Sequence, residues 1–367
     1  MPDPRAEQLA AVLVRYSTSV QPGNLVAIQG TPEAAPLLLA VYEEVLRAGG
    51  HPHLLVGLPG AEEAFFRLAS DAQLDFVSPL NRLVVEQFDA IINVRSDRNT
   101  RELSGVDPAR QRRRRQAMAP ILKTYLQRGA TGALKWVATL YPTAAYAQEA
   151  DMSLRDYEDF VYGACFCNGD DAVARWQEVH QRQQRLVEWL KGKREVRIVG
   201  PNADLTLSVE GRVFINCDGR NNMPDGEIFT GPVEDSARGW VRFTYPAITG
   251  GREVDGVELW FEDGRVARAT ARKNEEYLLQ MLDADPGARY LGEFAFGTNS
   301  GIQRFTKNIL FDEKIGGSFH LALGAGYPET GSRNESAIHW DMICDMRDGG
   351  EVWVDGELFY RNGEFVL

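Results

Sequence analysis

Residues 25–56 read LVAIQGTPEAAPLLLAVYEEVLRAGGHPHLLV. The short apolar run Leu25-Val26-Ala27-Ile28 has the length of a strand, and the segment from Pro32 to Ala48 reads as a long helix ended by Gly49-Gly50. A second apolar run, His53-Leu54-Leu55-Val56, follows at once. Strand, helix and strand in this order, with continuous rather than alternating apolar residues, predict parallel strands covered on both faces.

The same rhythm extends outward. A helix is expected near residues 5 to 18, a helical stretch through 61 to 86, and further strands at Ala90-Ile91-Ile92-Asn93-Val94 and Trp136-Val137-Ala138-Thr139-Leu140. The amino-terminal part is therefore an α/β domain with a mostly parallel, doubly wound sheet. From about residue 194 the texture becomes turn-punctuated and β-rich, with Asp263-Gly264 and Asp355-Gly356 as hairpin turns and one helical segment from Asn274 to Asp283. A polar helix from about Ala172 ends in Lys191-Gly192-Lys193-Arg194, which sets the expected domains at 1–193 and 194–367, the second a β-rich α+β domain.

Composition narrows the function. The chain has 367 residues, 44% hydrophobic and 25% charged, enough for two cores of a globular protein. A formal net charge of -12 argues against nucleic acid as a partner. Arg110, Arg112, Arg113, Arg114 and Arg115 form a basic run, read as a solvated helix face or a salt-bridge strip between domains. No apolar run reaches the roughly 20 residues of a membrane span, and Arg5, Glu7, Gln8 and Arg15 interrupt any leader-like core at the amino terminus. A cytoplasmic location is expected, with Cys165, Cys167, Cys217 and Cys344 as reduced thiols. Gln29-Gly30-Thr31-Pro32 lacks both phosphate-loop patterns, so no nucleotide site is read there.

Chemistry concentrates between Glu227 and Asp341. His51, His53 and His180 lack partners at ligand spacing, whereas His339-Trp340-Asp341 sets an imidazole and a carboxylate two residues apart, on one face of an extended strand. Glu313 and His320 flank the pair Gly316-Gly317, Glu293 lies inside an apolar strand, and Glu227 follows a Pro-Asp-Gly turn. Each has an ordinary alternative as a core histidine, ion-pair partner or turn residue. Together these acids and imidazoles are the donor set that divalent ions such as Zn, Mn or Co require. An acid buried without a partner is costly and calls for a cation. Tyr327, on a glycine-flanked loop, is placed to present a phenol to an oxyanion, or is simply a loop aromatic. Trp240, Phe243 and Tyr245 are read as core aromatics before substrate-pocket residues.

At these residues the sequence resembles the thermophilic-type metallo-aminopeptidases, the aminopeptidase T, aminopeptidase S and PepS family. The resemblance rests on Met223 to Pro232, Gly292 to Asn299, Leu310 to Gly324 and Ile338 to Met342. Leu140 to Thr143 and Met152 to Phe160 carry it outside the site. It implies Glu227, Glu293, Glu313, His320, His339 and Asp341 as ligands of two divalent ions, with Glu293 bridging. It also implies Tyr327 as a catalytic tyrosine, Glu293 or Glu313 as proton acceptor, a homodimer, and short peptides attacked at their amino termini by metal-activated water. The segment between Tyr327 and His339, and the chain as a whole, are shorter than the family pattern, which bears on substrate choice. Two other readings share the residues: a ring-cleaving dihydroxypyridine dioxygenase holding one ferrous ion through Glu293, His339 and Asp341, and a catalytically silent metal-binding scaffold.

Overall fold

The computed structural model describes residues 3–169, 171–249 and 251–366. The chain divides into two compact units, Met1–Trp176 with Gly219–Pro224, and Gln177–Asp218 with Asp225–Leu367. The division falls inside the helix Ala172–Leu190, whereas the sequence suggests a boundary after that helix. The reason is packing, because Leu186 and Leu190 belong to the hydrophobic core of the second unit.

The first unit holds a five-stranded parallel sheet in the order His51–Val56, Leu25–Gly30, Ala90–Arg95, Lys135–Leu140, Asn222–Met223. Val26, Ala27 and Ile28 are fully buried, as a continuous apolar run in an inner strand demands. His51–Val56 is an edge strand, and its Leu54 and Val56 are exposed, so the reading of that run as covered on both faces does not hold there. Residues 61–86 form three helices rather than one stretch. Ser70 caps the second through a reciprocal bond with Gln73, and Ser78 with Pro79 starts the third. The basic run lies on the helix Pro108–Ala130, and three of its arginines are engaged within this unit: Arg110 donates to the Phe66 carbonyl, Arg114 to that of Phe76, and Arg113 pairs with Asp71 and Asp75. Among the described residues no helix is long and apolar enough to cross a membrane.

The second unit contains an eight-stranded antiparallel sheet and a five-stranded antiparallel one. The five-stranded sheet positions the chemistry. Its strands are β1 (Ile215–Cys217), β2 (Glu227–Thr230), β3 (Leu291–Gly297), β4 (Ser318–Gly324) and β5 (His339–Asp345), ordered β5-β4-β3-β2-β1 in space. Phe294, Phe296, Phe319, Leu321, Leu323, Trp340 and Met342 point from β3, β4 and β5 into one core cluster. Val196, Leu205, Val241 and Leu259 of the larger sheet join the same cluster. This is the α/β plus β-rich class that the sequence predicts.

Candidate metal centre

With one face of the small sheet committed to that core, alternation assigns the intervening residues to the other face. The register shows how they meet. Glu227 lies opposite Gly297, His320 opposite Ala295, Glu293 opposite Ala322, Asp341 opposite Ala322, and His339 opposite Gly324. Directly paired residues project to the same side of an antiparallel sheet. Each charged side chain therefore has an alanine or glycine for a neighbour across the ladder, and the small residues leave room for the polar ones to converge. A bulge between Leu291 and Glu293 sets the phase that brings Glu293 onto this face.

Glu313 arrives by a different route. It ends the short helix Ile309–Asp312, whose first turn is capped by Asn308 and whose Asp312 accepts bonds from the amide and hydroxyl of Thr306 at 2.7 and 2.8 Å. That closed loop delivers Glu313 and Lys314 beside the sheet. All six acids and imidazoles named from the sequence are thus brought together. Ligand atoms of Glu227, Glu293 and His320 lie within 4.8 Å of one another, as do those of Glu293, His339 and Asp341, and those of Glu313, His320 and Asp341.

Glu293 sits between the two histidines. One of its oxygens is 3.4 Å from His320 Nε2 and the other 3.3 Å from His339 Nε2. His320 Nε2 is also 3.5 Å from Glu227, and His339 Nε2 3.5 Å from Asp341. Burial opposes charge throughout the site, and for Glu227 it pushes the carboxyl well above its usual range. Burial would also lower the histidines, yet the surrounding carboxylates raise His320 to about 9 and His339 to about 11. Such proton affinity reports a pocket of strongly negative potential, one that attracts cations of any kind.

The residues fit a divalent metal on their own chemistry. His339 Nδ1 donates to the Ala325 carbonyl at 2.7 Å, which in the neutral ring leaves the Nε2 lone pair facing two carboxylates. Between that nitrogen and the carboxylates lies either a proton or a metal ion, and a metal that displaces the proton meets one nitrogen and two carboxylate donors. Among the described residues, Glu227 Oε2 and His320 Nδ1 are buried polar atoms with no hydrogen-bond partner. Nitrogen and carboxylate donors together suit Zn, Co or Mn.

Tyr327 packs edge-on against His339, with ring centroids 5.1 Å apart, and against Phe229 at 5.3 Å, and it is 40% exposed. Its phenol is raised by burial and by the nearby carboxylates, so it is neutral and able to donate. A cavity of about 250 Å³ opens beside Asp341, walled by Pro246, Ile248, Phe305, Ile309 and Ile343. Of the aromatics set aside in the sequence, Phe243 is buried in the core, whereas Tyr245 stacks on Phe305 of the cavity wall at 5.3 Å. His51 and His53 lie in the first unit, and His180 pairs with Asp218 at 2.6 Å.

Two residues escape the sequence reading. Lys314 has no exposed side-chain surface; its Nζ lies 3.7 Å from Glu227 and contacts Glu313. Asp225, buried within the Pro-Asp-Gly turn, adds a further negative charge near that ammonium. A lysine beside a glutamate in a loop carries no signal of burial, and only the folded loop reveals it.

The family model for the thermophilic metalloprotease (M29) matches residues 3–365. Aminopeptidase 2 of Geobacillus stearothermophilus is 29% identical, covering 98% of this chain and 97% of the relative. Aminopeptidase T of Thermus thermophilus is 26% identical over 97% of this chain and 95% of its own. The solved structure of wild-type AmpT from Thermus thermophilus superposes with a TM-score of 0.84 at 24% identity, covering 99% of both chains. That of 2,5-dihydroxypyridine dioxygenase from Pseudomonas putida KT2440 superposes with 0.57 at 15% identity, over 98% of this chain and 96% of that one. Likeness at these identities speaks for the fold. The match of the family model along nearly the whole chain shows more: this protein belongs to the thermophilic metalloprotease (M29) family.

Proposed function

We propose that this protein is an aminopeptidase that removes amino-terminal residues from short peptides with a dinuclear metal centre. Glu227, Glu293, Glu313, His320, His339 and Asp341 would hold the two ions, of Zn, Co or Mn. The observation that carries this reading is the position of Glu293, whose two oxygens face two different imidazoles and so suit a bridge between two cations. When bound, such a pair lowers the pKa of water and polarises the scissile carbonyl.

The chain's own residues supply the rest. Glu293 or Glu313 would take a proton from the attacking water, and the Tyr327 phenol, whose ring packs against His339, would donate to a developing oxyanion. A homodimer in the cytoplasm is part of the same proposal.

The test is metal analysis of stripped and reconstituted protein alongside turnover of a panel of aminoacyl chromogenic substrates. Stripping should abolish hydrolysis, zinc or cobalt should restore it, and His339→Ala should lose metal. Full activity in verified metal-free protein would overturn the reading. Iron content with oxygen uptake on an aromatic diol would favour a ring-cleaving enzyme, and bound metal without any turnover a scaffold.

A further inference from the structure

Lys314 does not sit evenly in the site: its ammonium is within ion-pair distance of Glu227 and Glu313, whereas it reaches Asp341 only through space. On one side the carboxylates of Glu293 and Asp341 have ion-pair contacts, among the described residues, only with His320 and His339. On the other, Glu227 is already partnered by an ammonium: Lys314 Nζ lies 3.7 Å from its Oε1, touches Glu313, and is sealed from solvent. Lys314 is held there by the loop that carries Glu313, with its amide bonded to the Phe311 carbonyl at 3.0 Å and its carbonyl accepting from Asn299. It is therefore a fixed positive charge rather than a mobile one.

We propose that Lys314 makes the two cation positions unequal: the position bounded by Glu293, His339 and Asp341 fills first and tightly, and the position bounded by Glu227, Glu293 and His320 fills second and more weakly. The inference rests on the two-ion reading above. A divalent ion joining Glu227 must share that carboxylate with an ammonium and approach a like charge. At separations near 4 Å a single unit charge changes an ion's affinity by roughly tenfold or more, even when protein and solvent screen it strongly. Lys314 also gives the arrangement a purpose. Asp225, Glu227, Glu293, Glu313 and Asp341 are five carboxylates at one site, and two divalent ions balance only four; the ammonium balances the fifth. Lys314 is thus a positioning residue: it contacts ligand side chains, not the substrate.

Calorimetric titration of metal-free protein with zinc, paired with metal analysis, tests this. The wild type should bind two ions with dissociation constants at least tenfold apart. Glu227→Gln should remove the weaker event and keep the tighter, while Asp341→Asn should remove the tighter one. Lys314→Met should tighten the weaker event about tenfold or more, and Lys314→Arg, which keeps the charge, should leave the gap in place. Equal affinities in the wild type, loss of the weaker event in Asp341→Asn, or an unchanged gap in Lys314→Met would each overturn the proposal. Should Lys314→Met not fold, the Glu227→Gln and Asp341→Asn pair decides the order without it. A wild type that binds a single ion would sink the two-ion reading itself, and this inference with it.

Discussion

The carbonyl oxygen of Ala325 accepts a hydrogen bond from His339 Nδ1 at 2.7 Å, and that contact fixes which ring nitrogen faces the acids. The carbonyl reaches this place only because residue 292 is glycine: a Cβ there would lie 2.2 Å from the same oxygen. Gly292→Ala should therefore displace the Ala325 carbonyl, release the His339 ring and disturb the adjacent Glu293. We expect metal affinity to fall by roughly 10- to 100-fold, the usual cost of losing the partner that orients a ligand. Metal titration of the folded variant checks it, and wild-type affinity would contradict it.

In the proposed two-ion centre Glu293 would serve both cation positions at once. Glu293→Gln keeps the shape but removes the charge that two imidazoles share, so both ions should weaken together and peptide hydrolysis should fall by more than about 100-fold, beyond the cost of an orienting partner. Equilibrium dialysis against zinc and a peptidase assay measure the two effects. Loss of one ion with the other untouched would show that Glu293 does not bridge.

The cavity beside Asp341 offers apolar walls to a substrate side chain. Ile248→Trp, on the short strand Ala247–Thr249 and not itself one of the proposed ligands, should fill it. The kcat/KM for a leucyl substrate should drop relative to an alanyl one by roughly tenfold, the scale set by a methylene or two in an apolar pocket. An equal fall for both substrates would mean that the cavity does not read the side chain.

Glu234 anchors the segment leading to His339. It accepts from the Arg333 amide at 2.6 Å and pairs with Arg212 at 2.6 Å. Burial alone would raise this carboxyl, but the Arg333 amide and the Arg212 guanidinium hold it below its usual value. A depressed acid binds protons more readily in the unfolded chain, so its contribution is present above about pH 4.5 and is lost as pH falls through the folded value. Glu234→Gln should thus lower Tm at pH 7, and the gap to wild type should narrow as pH falls through the folded value. A gap that is constant with pH would assign the loss to packing alone.

Local periodicity made most of the secondary structure legible. The apolar runs at 25–28, 90–94 and 136–140 became strands of a parallel sheet, and the Asp-Gly turns became hairpins, because these signals depend only on neighbours in sequence. The stretch 61–86 was less legible, since Ser70 and Pro79 interrupt a pattern whose helical composition continues across them. Asn222–Met223 could not be placed at all: its partners are Ala138 and Thr139, and nothing in two residues names a partner so far along the chain.

For the site, the sequence by itself determined the donor types and the spacing of His339 and Asp341 on one strand face, and family resemblance supplied the expectation that six acids and imidazoles act as one set. The tertiary structure alone decided the rest. Register between strands set Glu227 against Gly297 and Glu293 against Ala322, and a bulge turned Glu293 onto the shared face. Burial then separated Lys314 from every other lysine in the chain: the charge of a side chain is written in the sequence, but its distance from other charges and from water is fixed only when the chain folds.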